Sequence, residues 1–241
     1  MTAMADQTPS AAKAAALYDA GYADRYRAHD DGLADSGPYL GFVSWLQRVC
    51  ERSSTPADAL ELGCGTGRYF NALRNVRTLV GLDASPAMLA RAAHPFREEA
   101  ITVDRVTLVQ GDALAHEFAA GSFDLIYSIG VLAEHVPLRA ALVGRVHAWL
   151  RRGGRFAFST VHPASPSIPR TTARRLGAAV MPWAPGPLHA YLRGRYVADG
   201  LYADESYLRT LLAEGFEIES IERFVSEAHL HCLCVARKVS A

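Results

Sequence analysis

Ala59-Leu60-Glu61-Leu62-Gly63-Cys64-Gly65-Thr66-Gly67-Arg68 is the stretch on which the fold turns. The apolar run before Gly63 reads as a buried strand. The three glycines read as a sharp turn, and the residues from Thr66 on as the start of a helix over 66–74. Glycines at alternate positions let the backbone bend with no Cβ in the way. The amides that follow face whatever sits at the helix N-terminus. Such a turn receives a ligand with a negatively charged end.

The spacing narrows the choice of ligand. A dinucleotide-binding turn places its glycines first, third and sixth. Here they fall first, third and fifth, and the sixth position is Arg68. An acid, Glu61, stands two residues before the first glycine.

Around this stretch strands and helices alternate, which predicts a parallel sheet with helices on both faces. Strand one spans 57–62. Strand two, 78–83, ends on Asp83 and leads into a helix capped by Ser85 with Pro86 in its first turn. Strand three, 106–110, runs into Gly111-Asp112-Ala113. Strand four is 123–128. A helix over 137–151 closes at Gly153-Gly154, and strand five is 155–161. A helix over 204–214 precedes two strands, 216–225 and 230–239, whose short connection suits an antiparallel pair.

Ahead of this core, residues 11–29 read as an alanine-rich helix with Tyr18, Tyr22 and Tyr26 at i, i+4 and i+8, three rings on one face. A short loop and a second amphipathic helix, 38–52, follow. Residues 163–203 break the rhythm, and six of the twelve prolines fall between Pro163 and Pro187. This reads as an irregular insertion with at most short helices. One domain is expected: a helical cap (1–54), a core (55–162), a lid (163–203) and a C-terminal helix with its strand pair (204–241).

Composition excludes several classes. The 241 residues are 50% hydrophobic and carry 25 basic and 25 acidic side chains, a formal net charge of zero. That argues against a protein gripping nucleic acid through its phosphates. No apolar run approaches the ~20 residues of a membrane span, and Met1–Ser10 lacks a signal-peptide core. Of the four cysteines, Cys64 lies inside the glycine turn, so a reduced, cytoplasmic protein is expected. His229, His231, Cys232 and Cys234 alternate between the two faces of a strand and are read as strand residues, with no metal site.

Together these features resemble class I S-adenosylmethionine (SAM) dependent methyltransferases, motif by motif over residues 59 to about 160. The Glu61-to-Gly67 segment resembles their motif I, with Cys64 at its variable position. Val109-Gln110-Gly111-Asp112-Ala113 resembles their adenine-binding motif. The antiparallel finish resembles their seven-stranded, mostly parallel α/β sheet and differs from a dehydrogenase Rossmann domain. The resemblance implies SAM as cofactor, with S-adenosylhomocysteine (SAH) as product, and a small-molecule acceptor. Glu61 would meet the methionine ammonium. Asp83, twenty residues after Gly63, would meet the ribose hydroxyls. Asp112 would accept from the adenine amine, and Leu82, Ala84 and Met88 would supply apolar contacts. Ala113 and Ser128 lie at strand ends on the same edge.

The segment Tyr18 to Tyr26 is similar to the tyrosine-bearing N-terminal helix of small-molecule members. This places Tyr18 and Tyr26 over the cofactor and Tyr22 near the acceptor. Two edge histidines, His135 after strand four and His162 after strand five, are candidate bases. Trp183, Tyr191 and Tyr202 would line the acceptor pocket. Ser128-Ile129-Gly130-Val131 is not the signature of nucleobase amino-methyltransferases. The reading is therefore O-methylation of a specialised metabolite by a cytoplasmic monomer or homodimer. N- or S-methylation, an RNA or protein acceptor, and a SAM enzyme that transfers no methyl group remain the alternatives.

Overall fold

The computed structural model describes residues 17–33, 35–166, 185, 201–226 and 229–239. From residue 57 on, strands and helices alternate: β1 (Ala57–Leu62), β2 (Val76–Asp83), β3 (Arg105–Gln110), β4 (Phe123–Ser128), β5 (Leu150–Val161), β6 (Phe216–Ser226) and β7 (His229–Lys238). They form one seven-stranded sheet in the order β3-β2-β1-β4-β5-β7-β6. β1 pairs parallel with β2 and β4, β2 with β3, and β4 with β5. β7 runs antiparallel to both β5 and β6.

Two apolar layers cover the sheet because successive strand residues point to opposite faces. On one face Ala59, Leu125, Tyr127, Ala157 and Val235 pack under α2 (Gly37–Cys50), which presents Tyr39, Phe42, Trp45, Leu46 and Val49. On the other, Leu60, Ile126, Phe156, Phe158 and Cys234 pack against α4 (Ala140–Trp149) and α5 (Glu205–Leu212). Between them in the chain, α3 (Pro86–Ala92) follows β2, capped by Ser85, whose Oγ accepts from Met88 N at 3.2 Å. α1 (Ala20–Gly32) precedes the core.

Four local expectations change. The first helix starts at Ala20, because Asp19 is its cap and accepts from Tyr22 N at 2.8 Å. Tyr18 therefore lies ahead of the helix, residues 11–16 fall outside the described residues, and the helix runs on to Gly32. The expected helix over 66–74 is a run of tight turns with one 3₁₀ turn, Phe70–Ala72. Gly67 sits at φ +76°, which a right-handed helix does not continue through. The helix expected from Pro137 begins at Ala140. Strand five begins at Leu150, where Gly153 (φ +75°) takes up a register shift between Phe123 and Leu125 of β4. The insertion lies almost entirely outside the described residues.

Candidate active site

Strand order reverses on either side of β1, the place where open parallel sheets take ligands beyond their carboxyl ends. A cavity of about 440 Å³ opens there. Its floor is the end of β1. Glu61 is 2% exposed, and the Tyr127 hydroxyl donates to its Oε2 at 2.8 Å. Burial pushes its carboxyl up to about 8; the nearby Asp83 adds to this, and the Tyr127 hydrogen bond opposes it. Among the described residues no basic side chain pairs with Glu61.

The glycine turn wraps over this carboxyl. Gly63 has φ +72°, and a Cβ there would lie 2.6 Å from Val131 Cγ2. The turn's amides are already engaged. Gly63 N and Cys64 N donate to Leu82 O at 2.8 and 3.0 Å, Gly65 N to Asp83 Oδ2 at 2.8 Å, and Gly67 N to Cys64 O at 2.9 Å.

Asp83 ends β2 and also accepts from Ser85 N through Oδ1 at 2.9 Å. Its carboxylate is thus fixed from two sides, and burial pushes its pKa up. Asp112, just past β3, takes Leu114 N on Oδ1 at 2.8 Å, which leaves Oδ2 as an acceptor. Leu82, Ala84, Met88 and Ala113 complete this wall.

Tyrosines and the loop after β4 form the opposite wall. Tyr22 and Tyr26 stack with centroids 5.9 Å apart, and Tyr18 meets Tyr22 edge-on at 5.0 Å. Ser85 Oγ donates to Tyr18 O at 2.5 Å, which ties this wall to the cap of α3. Burial is the main reason the Tyr18 phenol is pushed up to about 12. His135 lies edge-on to Tyr18 at 6.1 Å, half exposed, with Nε2 3.8 Å from Glu134 Oε1. Burial raises the Glu134 carboxyl, against the pull of His135 and His229. Glu134 and Leu201 line the same cavity.

The structure therefore brings Tyr18, Tyr22, Tyr26, Glu61, Gly63, Cys64, Gly65, Asp83, Ala84, Met88, Asp112, Ala113 and His135 to one cavity. Four expected residues are not on its wall. Gly67 packs against Phe70 and Pro95. Ser128 is fully buried and donates to Leu62 O at 2.7 Å, tying β4 to β1. Tyr202 has φ +59°, and its amide donates to Ala133 O at 2.7 Å; the neighbouring Leu201 reaches the cavity instead. His162 is drawn away because the β5–β7 ladder continues through its own amide to Leu230 O. Its Nδ1 accepts from Ala164 N at 3.0 Å, and its Nε2 lies 3.4 Å from Glu205 Oε2. Trp183 and Tyr191 lie outside the described residues.

His162, Glu205 and Cys232 form one close cluster of metal-ligand side chains. Its chemistry does not suit a cation. Nδ1 is occupied as an acceptor, so Nε2 carries the proton. Glu205 is paired with Arg223 at 2.6 Å. Burial pushes the Cys232 thiol up to about 12.

Arg68, Thr66 and Tyr69 line the cavity without having been singled out from the sequence. Asp30, from the end of α1 and fully buried, accepts from Thr66 Oγ1 and from Arg68 Nε, both at 2.5 Å. A contact spanning 38 residues leaves no trace in local spacing.

Residues 59–154 match the family of methyltransferase domains. The sheet order described above is similar to that of class I SAM-dependent methyltransferases. An uncharacterized methyltransferase of Synechocystis sp. is 38% identical over 108 residues, 44% of this chain and 48% of that protein. The demethylmenaquinone methyltransferase of Lactococcus lactis is 32% identical over 129 residues, 51% of this chain and 50% of its own. The chain thus spans about half the length of these curated relatives. In fold, the magnesium protoporphyrin IX methyltransferase of Synechocystis, solved with bound SAM, superposes with a TM-score of 0.63 at 16% identity, covering 99% of this chain and all of its own.

Proposed function

We propose that the chain transfers a methyl group from SAM to a small organic acceptor, with a hydroxyl as the first choice of nucleophile. The observation that carries this is the convergence of Glu61, Asp83 and Asp112, from three successive strand ends, on one cavity that Tyr18 and His135 also line. The donor set fits the cofactor. Glu61 is a buried carboxyl with no basic partner among the described residues, suited to an ammonium. Asp83 is a fixed acceptor for a diol, and Asp112 has an oxygen free for an amine.

When bound, SAM supplies a methyl group already activated on a sulfonium sulfur. The chain's own task is alignment, since holding a nucleophile in line within ~3 Å supplies several kcal/mol. Glu61, Asp83 and Asp112 hold the cofactor at its ammonium, its ribose and its adenine. Tyr18, Tyr22 and Tyr26 exclude water and offer ring faces to a cationic centre. His135 turns Nε2 toward Glu134, so Nδ1 is the nitrogen that takes a hydroxyl proton from the acceptor. The same reading has the protein act in the cytoplasm in specialised metabolism, as a monomer or homodimer, without nucleic acid. Its four cysteines, all buried and free, agree with a reducing compartment.

Thermal melting with SAH, SAM and NAD, followed by methyl-labelled SAM offered with phenols, carboxylic acids, amines and thiols, tests the proposal. Stabilisation by SAH but not NAD, with label entering a hydroxylated acceptor, is the expected result. Stabilisation by NAD alone would overturn it.

A further inference from the structure

Among the described residues four carboxylates line the cavity, and the cofactor reading uses three of them. Glu61, Asp83 and Asp112 stand at the ends of successive strands. The fourth, Glu134, lies on the loop after β4, in the wall that carries Tyr18 and His135. That loop is stiff. His135 N and Val136 N both donate to Val131 O, at 2.8 and 3.0 Å, Ala133 takes φ +57°, and its carbonyl accepts from Tyr202 N at 2.7 Å. The Glu134 side chain is 27% exposed, and His135 Nε2 lies 3.8 Å from its Oε1. Among the described residues its carboxylate accepts no hydrogen bond. Its charge reaches the phenols of Tyr18 and Tyr26, where it adds to the burial that raises both. Of the described residues on the cavity wall only Arg68 carries a fixed positive charge, and Asp30 holds it at 2.5 Å. A carboxylate with no basic partner, set beside tyrosine rings, suits an organic cation: the oxygens accept from N⁺–H and the ring faces attract positive charge. The same wall repels an anion.

We propose that the acceptor is a hydroxylated amine, and that Glu134 selects it by holding the protonated nitrogen while the hydroxyl faces His135 Nδ1. Adjacent residues supply the two contacts, so a short carbon framework separates the two groups. An ammonium has no lone pair, so the nitrogen held by Glu134 is not a nucleophile. The carbon–sulfur bond to the methyl group breaks as the carbon–oxygen bond forms, and the hydroxyl proton passes to His135. Glu134 also offsets the positive charge that an ammonium brings toward a sulfonium. This inference rests on the methyl-transfer reading above.

The test titrates three probes by ligand-observed NMR into SAH-loaded wild type, E134Q and E134K near neutral pH. The probes are 3-hydroxybenzylamine, its neutral isostere 3-ethylphenol, and 3-hydroxybenzoate. Wild type is expected to hold the amine about 10- to 150-fold more tightly than 3-ethylphenol, the range of a charge-assisted hydrogen bond, and the benzoate more weakly than either. In E134Q the preference for the amine falls to within about threefold, and in E134K it reverses in favour of the benzoate. With methyl-labelled SAM, wild type places the label on the oxygen of the amine probe. Equal weakening of all three probes in both variants makes Glu134 a support of the loop and overturns the inference. A wild type with no preference for the amine, with no binding of any probe, or with label on nitrogen overturns it too. E134Q that loses affinity for SAM but not for SAH assigns Glu134 to the sulfonium, with the same consequence. In each of these outcomes SAH still binds and the cofactor reading stands. Wild type that does not bind SAH overturns that reading, and this inference with it.

Discussion

Glu61 makes the binding of an amino-acid ligand sensitive to pH, and the direction follows from its burial. In the free protein its carboxyl titrates at about 8, against an ordinary 4.5. Below 8 it is mostly protonated, yet it must be ionised to pair with an ammonium. Binding below pH 8 therefore expels a proton, and affinity rises with pH toward a plateau. Between pH 6 and 8 the fraction ionised grows about 50-fold, so the dissociation constant for SAH should fall by about that factor. At pH 6.5 titration in buffers of different ionisation enthalpy should show about one proton released per SAH bound. The free protein moves the opposite way. A carboxyl raised above its unfolded value holds more protons folded than unfolded, so its contribution to stability is lost as pH rises from 4.5 through 8. The rise corresponds to about 5 kcal/mol at most. E61Q should flatten both profiles and bind SAH more weakly at pH 8. A wild-type affinity that is flat from pH 6 to 8, with no proton release, would refute this account of Glu61.

Three further outcomes follow from the same site. D83N should weaken SAH and 5′-methylthioadenosine alike, by about 10- to 100-fold in titration, because a diol contact serves the ribose of both. G63A should lower stability to denaturant by about 2–3 kcal/mol, since it places a Cβ 2.6 Å from Val131 Cγ2 at φ +72°. H135Q should lower kcat about 10²- to 10⁴-fold for a hydroxyl acceptor and leave SAH affinity within about threefold.

Much of this architecture was legible because it repeats one device. Each of β1, β2 and β3 has an acid at or just past its carboxyl end, where the chain must leave the sheet, so alternation of elements sufficed to bring Glu61, Asp83 and Asp112 together. The antiparallel β6–β7 pair was equally plain from its short connection. Misreadings came where tertiary pairing overrode local pattern. Residues 66–74 contain good helix formers, but the left-handed Gly67 stops a helix at its first turn. His162 follows a strand end as His135 does, yet β5 alone among the parallel strands has an antiparallel neighbour at that end. Hydrogen bonding to Leu230 O carries His162 toward Glu205 instead of the cavity. Arg68 was visible as the residue that broke the dinucleotide spacing. What gives it meaning is Asp30, and no local pattern pairs two residues of opposite charge on separate elements.

The most direct test of the central claim is to follow the label from methyl-labelled SAM after incubation with extracts of the source cell separated into small molecules, RNA and protein. The account predicts that label enters the small-molecule fraction and that H135Q suppresses it. Label appearing in RNA or protein, or SAM binding with no transfer to any fraction, would contradict it.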